Sequence, residues 1–157
     1  MFRKFYILIT LISFLFIIIF INVRNSDNEI SYDRFNIVAP GVLRTPEENF
    51  VGLKDFPYEP NYLMIGDTRI HYLDEGPDDG DIIFLLHGEP AWSYLFRKMI
   101  PTLTDAGYRV IAPDMIGFGK SDKYISTEMY SHQLHVNTMH ELIKKLDLTD
   151  ITAHFHD

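Results

Sequence analysis

Ile82-Ile83-Phe84-Leu85-Leu86-His87-Gly88-Glu89-Pro90 is the stretch that decides the fold. A strand with one wet face alternates apolar and polar residues. An unbroken apolar run that ends in a turn belongs to a strand covered on both faces, the pattern of a parallel sheet. Downstream, Trp92 to Ala106 has a helical stripe in Tyr94, Leu95, Met99 and Leu103. Pro101 should bend or shorten that helix, and Gly107 should end it. Arg109-Val110-Ile111-Ala112 is the next strand, and Gly117 to Asp122 is a turn-rich loop. A long helix is expected over 128–146, with His135, Met139, Leu142, Ile143 and Leu146 on one side. Ile151 to His156 is a last short strand.

Upstream, Tyr62-Leu63-Met64-Ile65 and Arg69-Ile70-His71-Tyr72-Leu73 flank Gly66-Asp67, the chemistry of a hairpin. Strand, helix, strand, helix, strand then follow in order. The expected class is α/β, a mostly parallel sheet flanked by helices. Such sheets bind ligands beyond the carboxyl ends of their strands. His87-Gly88-Glu89-Pro90, Asp114 and Asp157 all fall at such ends.

The amino-terminal stretch has a different composition. Phe5 to Val23 is a 19-residue run containing 15 Leu, Ile, Phe or Val residues. A helix of that length spans roughly 28 Å, near the roughly 30 Å of bilayer hydrocarbon. The run ends without a small-residue cleavage pattern, so residues 1–24 are expected to be an uncleaved transmembrane signal anchor. Arg3 and Lys4 place the amino terminus on the cytoplasmic side and the body outside the cytoplasm. Residues 25–42 are expected to be a linker, and 43–157 an incomplete globular domain.

Composition excludes several functions. Residues 25–157 hold 11 bases against 22 acids, so nucleic acid is not an expected partner. The chain has no cysteine, which removes disulfides, thiol catalysis and Cys-ligated zinc. Strand periodicity puts His154 and His156 on one face, but no third ligand is placed near them, so no metal is expected. His132, His135 and His140 lack i,i+4 spacing and are expected at surface or partly buried helix positions.

Several segments together carry a resemblance. His87-Gly88-Glu89-Pro90-Ala91-Trp92-Ser93-Tyr94 and Arg97-Lys98-Met99-Ile100-Pro101 resemble the oxyanion loop and following helix of haloalkane dehalogenases. Pro113-Asp114-Met115-Ile116-Gly117-Phe118-Gly119-Lys120-Ser121-Asp122-Lys123 is similar to a second diagnostic segment of that family. Leu43-Arg44-Thr45-Pro46, Asp55-Phe56-Pro57-Tyr58 and His71-Tyr72-Leu73-Asp74-Glu75-Gly76 match its amino-terminal arm. The resemblance covers Leu43 to Asp157, 115 of the 157 residues.

The resemblance implies the amino-terminal half of an α/β-hydrolase fold. It also implies hydrolytic removal of halide from haloalkanes, without a cofactor, through an alkyl ester on Asp157 as nucleophile. The Glu89 backbone N–H would be one oxyanion donor, with Gly88 and Pro90 fixing the loop and His87 supporting its backbone. The Glu89 side chain would stand behind the site or remain a solvated loop acid. Trp92 would pack in the core, since the family's two halide-binding Trp residues lie beyond position 157. Asp114 would shape the turn that follows it. The family's cap domain, acid partner and base His normally belong to a further half of similar size. The 157-residue chain is therefore expected to be poorly stable and without turnover. Two other readings stay open: an epoxide hydrolase-like enzyme, and a non-catalytic membrane-tethered remnant.

Overall fold

A computed structural model of the chain describes residues 35–156. The strands are β1 (Asn36–Ala39), β2 (Val42–Arg44), β3 (Asn61–Ile65), β4 (Thr68–Glu75), β5 (Ile82–Leu86), β6 (Arg109–Pro113), β7 (Lys123–Tyr124) and β8 (Thr152–Phe155). The α-helices are α1 (Met99–Asp105) and α2 (His132–Lys145). Short 3-10 turns occupy Glu47–Phe50, Ser93–Phe96 and Thr127–Met129. Among the described residues no helix is long and apolar enough to cross a membrane. The anchor expected over 1–24 lies outside the described residues.

The main sheet has the order β3-β4-β6-β5-β8. Pairings β3–β4 and β4–β6 are antiparallel, while β5–β6 and β5–β8 are parallel. The expectation of a mostly parallel sheet holds for β3, β6, β5 and β8, which run the same way; among the described strands of this sheet β4 alone is reversed. The reason is the hairpin: Gly66, at φ +61°, turns β3 directly into β4, with Ile65 opposite Thr68.

Each face of this sheet buries one helix. Phe84 and Ile111 pack with Met139 and Leu142 of α2, while Leu85, Val110 and Ala112 pack with Phe96 and with Ile100 of α1. Successive side chains of β5 and β6 thus go to opposite faces, as strand geometry requires. Burying a side chain such as Leu or Ile contributes roughly 1.5–3 kcal/mol, which accounts for the unbroken apolar run of β5.

Both expected helices are shorter than their patterns. Trp92 to Ala106 divides into a 3-10 turn and α1, because Pro101 has no N–H to donate and fits only in a first helical turn. The helix expected over 128–146 begins at His132, where the Ser131 hydroxyl caps the Leu134 N–H at 3.1 Å. Lys144 and Lys145 fall in its last turn, where cations suit the helix dipole.

The segment expected as linker to residue 42 contains β1 and the start of β2. Pro40-Gly41 turns one strand into the other, Gly41 having φ +76°. With β7 they form a second sheet of order β1-β2-β7. Arg44 on β2 donates two bonds to Asp122, 2.7 and 2.8 Å, and Asp122 also accepts the Arg69 N–H of β4 at 2.7 Å. One buried carboxylate therefore joins the small sheet to the large one.

Candidate active site

The chain leaves β5 at Leu86, and β6 and β8 flank that strand on either side. Leu86 pairs with Phe155, and the His156 N–H donates to the Leu86 carbonyl at 3.0 Å. His156 thus lies at the end of the sheet from which the His87-Gly88 loop departs. β6 runs parallel to β5, so Asp114 departs from the same end. The strand order reverses around β5, the position at which open α/β sheets bind ligands. Asp157, the expected nucleophile, lies outside the described residues.

His87 is buried and does not present a free base. Its Nδ1–H donates to the Gly88 carbonyl at 2.9 Å, and its Nε2 accepts the Met115 N–H at 3.0 Å. A carbonyl only accepts and an amide only donates, so these partners define the neutral Nδ1–H tautomer. Burial pushes the His87 imidazole below its ordinary value, against the pull of the Gly88 carbonyl and of Asp114.

The Gly88 carbonyl also accepts the Ala91 N–H, at 3.0 Å. Across a trans, planar peptide the N–H points opposite to the C=O. Two donors on the Gly88 carbonyl therefore fix the direction of the Glu89 N–H, which has no acceptor among the described residues. The Glu89–Pro90 bond is cis, and both residues are exposed. Trp92 packs against Phe50 and Phe56, with centroids at 5.4 and 5.3 Å, and stacks on Tyr94 at 5.5 Å.

Asp114 is fully buried. Its Oδ2 accepts His71 Nδ1–H and the Lys120 N–H, both at 2.8 Å, and its Oδ1 accepts the Ser93 N–H at 2.7 Å. Burial alone would raise its pKa, but the His71 hydrogen bond and charge and the two amides hold it below the usual Asp value. The Ser121 hydroxyl donates to the Asp114 carbonyl at 2.6 Å and accepts the His71 N–H at 2.9 Å. Gly119 completes the packing, since a Cβ there would collide with the Asp114 carboxylate and meet the Trp92 ring at 2.8 Å.

Asp114 thus does more than shape its own turn. His71 escaped the sequence reading as its partner; the available signal was a histidine between apolar Ile70 and Leu73 in a buried strand. Lys123 is a second polar group that was missed. Its ammonium donates to the Gly119 and Ser121 carbonyls at 2.8 and 2.7 Å, and burial pushes it down to about 8. His132 and His140 are exposed and His135 is half-buried. Among the described residues no cluster of three or more His, Cys, Asp or Glu could hold a metal.

The order and pairing of β3 to β8, with a helix on each face, define this body as part of an α/β-hydrolase fold. The α/β hydrolase fold family model matches residues 81–153. A haloalkane dehalogenase of Psychrobacter cryohalolentis is 54% identical over 121 residues, 74% of this chain and 40% of that protein. The solved haloalkane dehalogenase DpaA of Paraglaciecola agarilytica shares 53% identity at a TM-score of 0.69, covering 71% of this chain and 39% of that one. An epoxide hydrolase of Vigna radiata is more distant, at 28% identity and a TM-score of 0.59, covering 64% of this chain and 32% of its own. Within the α/β hydrolases, the chain belongs with the haloalkane dehalogenases. It spans about 40% of the length of the relatives it matches.

Proposed function

We propose that this chain carries the oxyanion loop and the nucleophile of a haloalkane dehalogenase. An Asp157 carboxylate oxygen bonds to the carbon bearing the halogen, the carbon–halogen bond breaks, and halide leaves with its electron pair. Water, losing a proton to a base, then attacks the ester carbonyl while the Glu89 N–H donates to the oxyanion; collapse breaks the carbonyl–alkoxy bond, the alcohol leaves with the proton returned by the base, and the Asp157 carboxylate is restored. The observation that carries this reading is the Glu89 N–H, whose direction is set by two bonds to the Gly88 carbonyl, at the sheet end where β8 closes beside Leu86.

Four of the described histidines are not placed to serve as base for the second step. His87 has both ring nitrogens engaged, His71 is sealed against Asp114, and His132 and His140 are exposed on α2. With no base assigned among these side chains, residues 1–157 tested by themselves are expected to form the ester once. Bromide release from 1-bromobutane, measured against protein concentration, tests this. About one equivalent per chain is expected, with none from Asp157→Asn. Sustained release contradicts the single turnover, and opening of an epoxide without bromide release moves the assignment to the epoxide hydrolases.

Residues 5–23 form a single-pass anchor in this reading, with the amino terminus cytoplasmic and the hydrolase body outside. The support is compositional: 15 of 19 residues are strongly apolar, and Arg3 and Lys4 precede them. Retention of the chain in alkaline-washed membranes is the expected result.

A further inference from the structure

The loop that carries Glu89 is held at both ends by one neighbouring segment. At its start the Met115 N–H bonds His87 Nε2, and at its end the Ser93 N–H bonds the Asp114 carboxylate. Asp114 is itself fixed on every side. Its backbone N–H donates to the His71 carbonyl at 2.9 Å, its carbonyl accepts the Ser121 hydroxyl, and its second carboxylate oxygen takes His71 and the Lys120 N–H.

We infer that Asp114 is a positioning residue for the oxyanion donor, setting where residues 87–93 sit and, through His87, where the Glu89 N–H points. The inference rests on Glu89 being that donor. Displacing Asp114 shifts Ser93 directly and Met115 as its chain neighbour. A shifted Met115 loses His87 Nε2, the ring releases the Gly88 carbonyl, and the 88–89 peptide is free to rotate. A carboxylate is required because three donors converge on it: the N–H groups of Ser93 and Lys120, and His71 Nδ1–H. The amide of Asn accepts through one oxygen only and turns its own donors toward the rest.

The test is heteronuclear NMR of the full 157-residue chain in detergent micelles, read at the His87 ring and at the Ser93, Met115 and Glu89 amides. In the unmodified chain the His87 ring shows a protonated Nδ1 and a bare Nε2. In Asp114→Asn that single-tautomer signature is lost, the Glu89 amide signal moves, and the Ser93 and Met115 amides exchange at least about tenfold faster. Ser93→Pro removes one donor and leaves the carboxylate in place, so it keeps the test open should Asp114→Asn fail to fold. It should move the Glu89 signal in the same direction by less. Asp74→Asn, which breaks an ion pair away from this loop, should leave all four signals unchanged. A folded Asp114→Asn or Ser93→Pro with the original His87 and Glu89 signals overturns the inference. Failure to find an ester on Asp157 in the unmodified chain would overturn the catalytic role of Glu89 and leave the clamp to be judged by these spectra alone.

Discussion

The two ends of the main sheet hold their charges differently. At the carboxyl end of β6, Asp114 sits in a sealed knot with His71, Ser93 and Lys120, with no exposed surface on either ring or carboxylate. At the opposite end of β6, Arg109 makes two bonds to Asp74, 2.8 and 2.6 Å, with both side chains about a quarter exposed. The second pair has the shorter contacts, yet it matters less. Water can replace the partner of a partly exposed ion, and nothing replaces the partners of a buried one. The buried pair therefore specifies a loop geometry, and the exposed pair mainly decorates a strand end.

The largest predicted effect follows from that difference. Asp114→Ala leaves His71 and two amides without a partner in the interior and should cost about 3–5 kcal/mol. Urea denaturation measures it, and a loss under about 1 kcal/mol would erase the contrast between the two ends. Gly119→Ala comes next. Gly119 has φ +46°, and its new methyl group would press on the Asp114 carboxylate and the Trp92 ring, so a loss of about 1–3 kcal/mol is expected.

Acidification acts on the molecule in two windows. Burial holds His87 below its ordinary pKa, and His135 is lowered likewise. The unfolded chain therefore binds more protons than the folded chain once the pH drops below about 6.5, and stability falls from there downward. The slope from each group is at most about 1.4 kcal/mol per pH unit. Asp114 acts lower. Its folded pKa is depressed, so its contribution is intact above about 3.9 and is lost as the pH falls through the folded value. Urea midpoints taken between pH 8 and pH 5 should decline below 6.5, and less so in His87→Gln. The smallest effect is that of Asp74→Ala, about 0–1 kcal/mol, with no change at the His87 ring.

The sheet strands were legible because each is a local pattern. The run 82–86 became β5 with unchanged bounds, and the Gly66-Asp67 turn gave the β3–β4 hairpin. The stripe through Met139 and Leu142 does face the core. Pro101 signalled that its helix would break, but the exact split depends on Phe96 and Ile100 finding the same cluster. Pro40-Gly41 was a readable turn signal that was passed over, and with it β1 and β2. The knot was not legible at all. His71 and Asp114 stand 43 positions apart, and Arg44 and Asp122 stand 78 apart. No period or spacing joins such pairs; only the strand order β3-β4-β6-β5-β8 does. His87 was visible as a loop residue, while its tautomer depended on Met115, 28 positions away.

The proposed chemistry requires residue 157 to attack a carbon–halogen bond at the sheet end where the Glu89 N–H is fixed. The direct measurement is the mass of the peptide containing Asp157 after the chain has been exposed to 1-bromobutane. A butyl ester on Asp157, absent in Asp157→Asn, is the expected result. An unmodified peptide from folded protein whose His87 ring retains its Nδ1–H tautomer would contradict it.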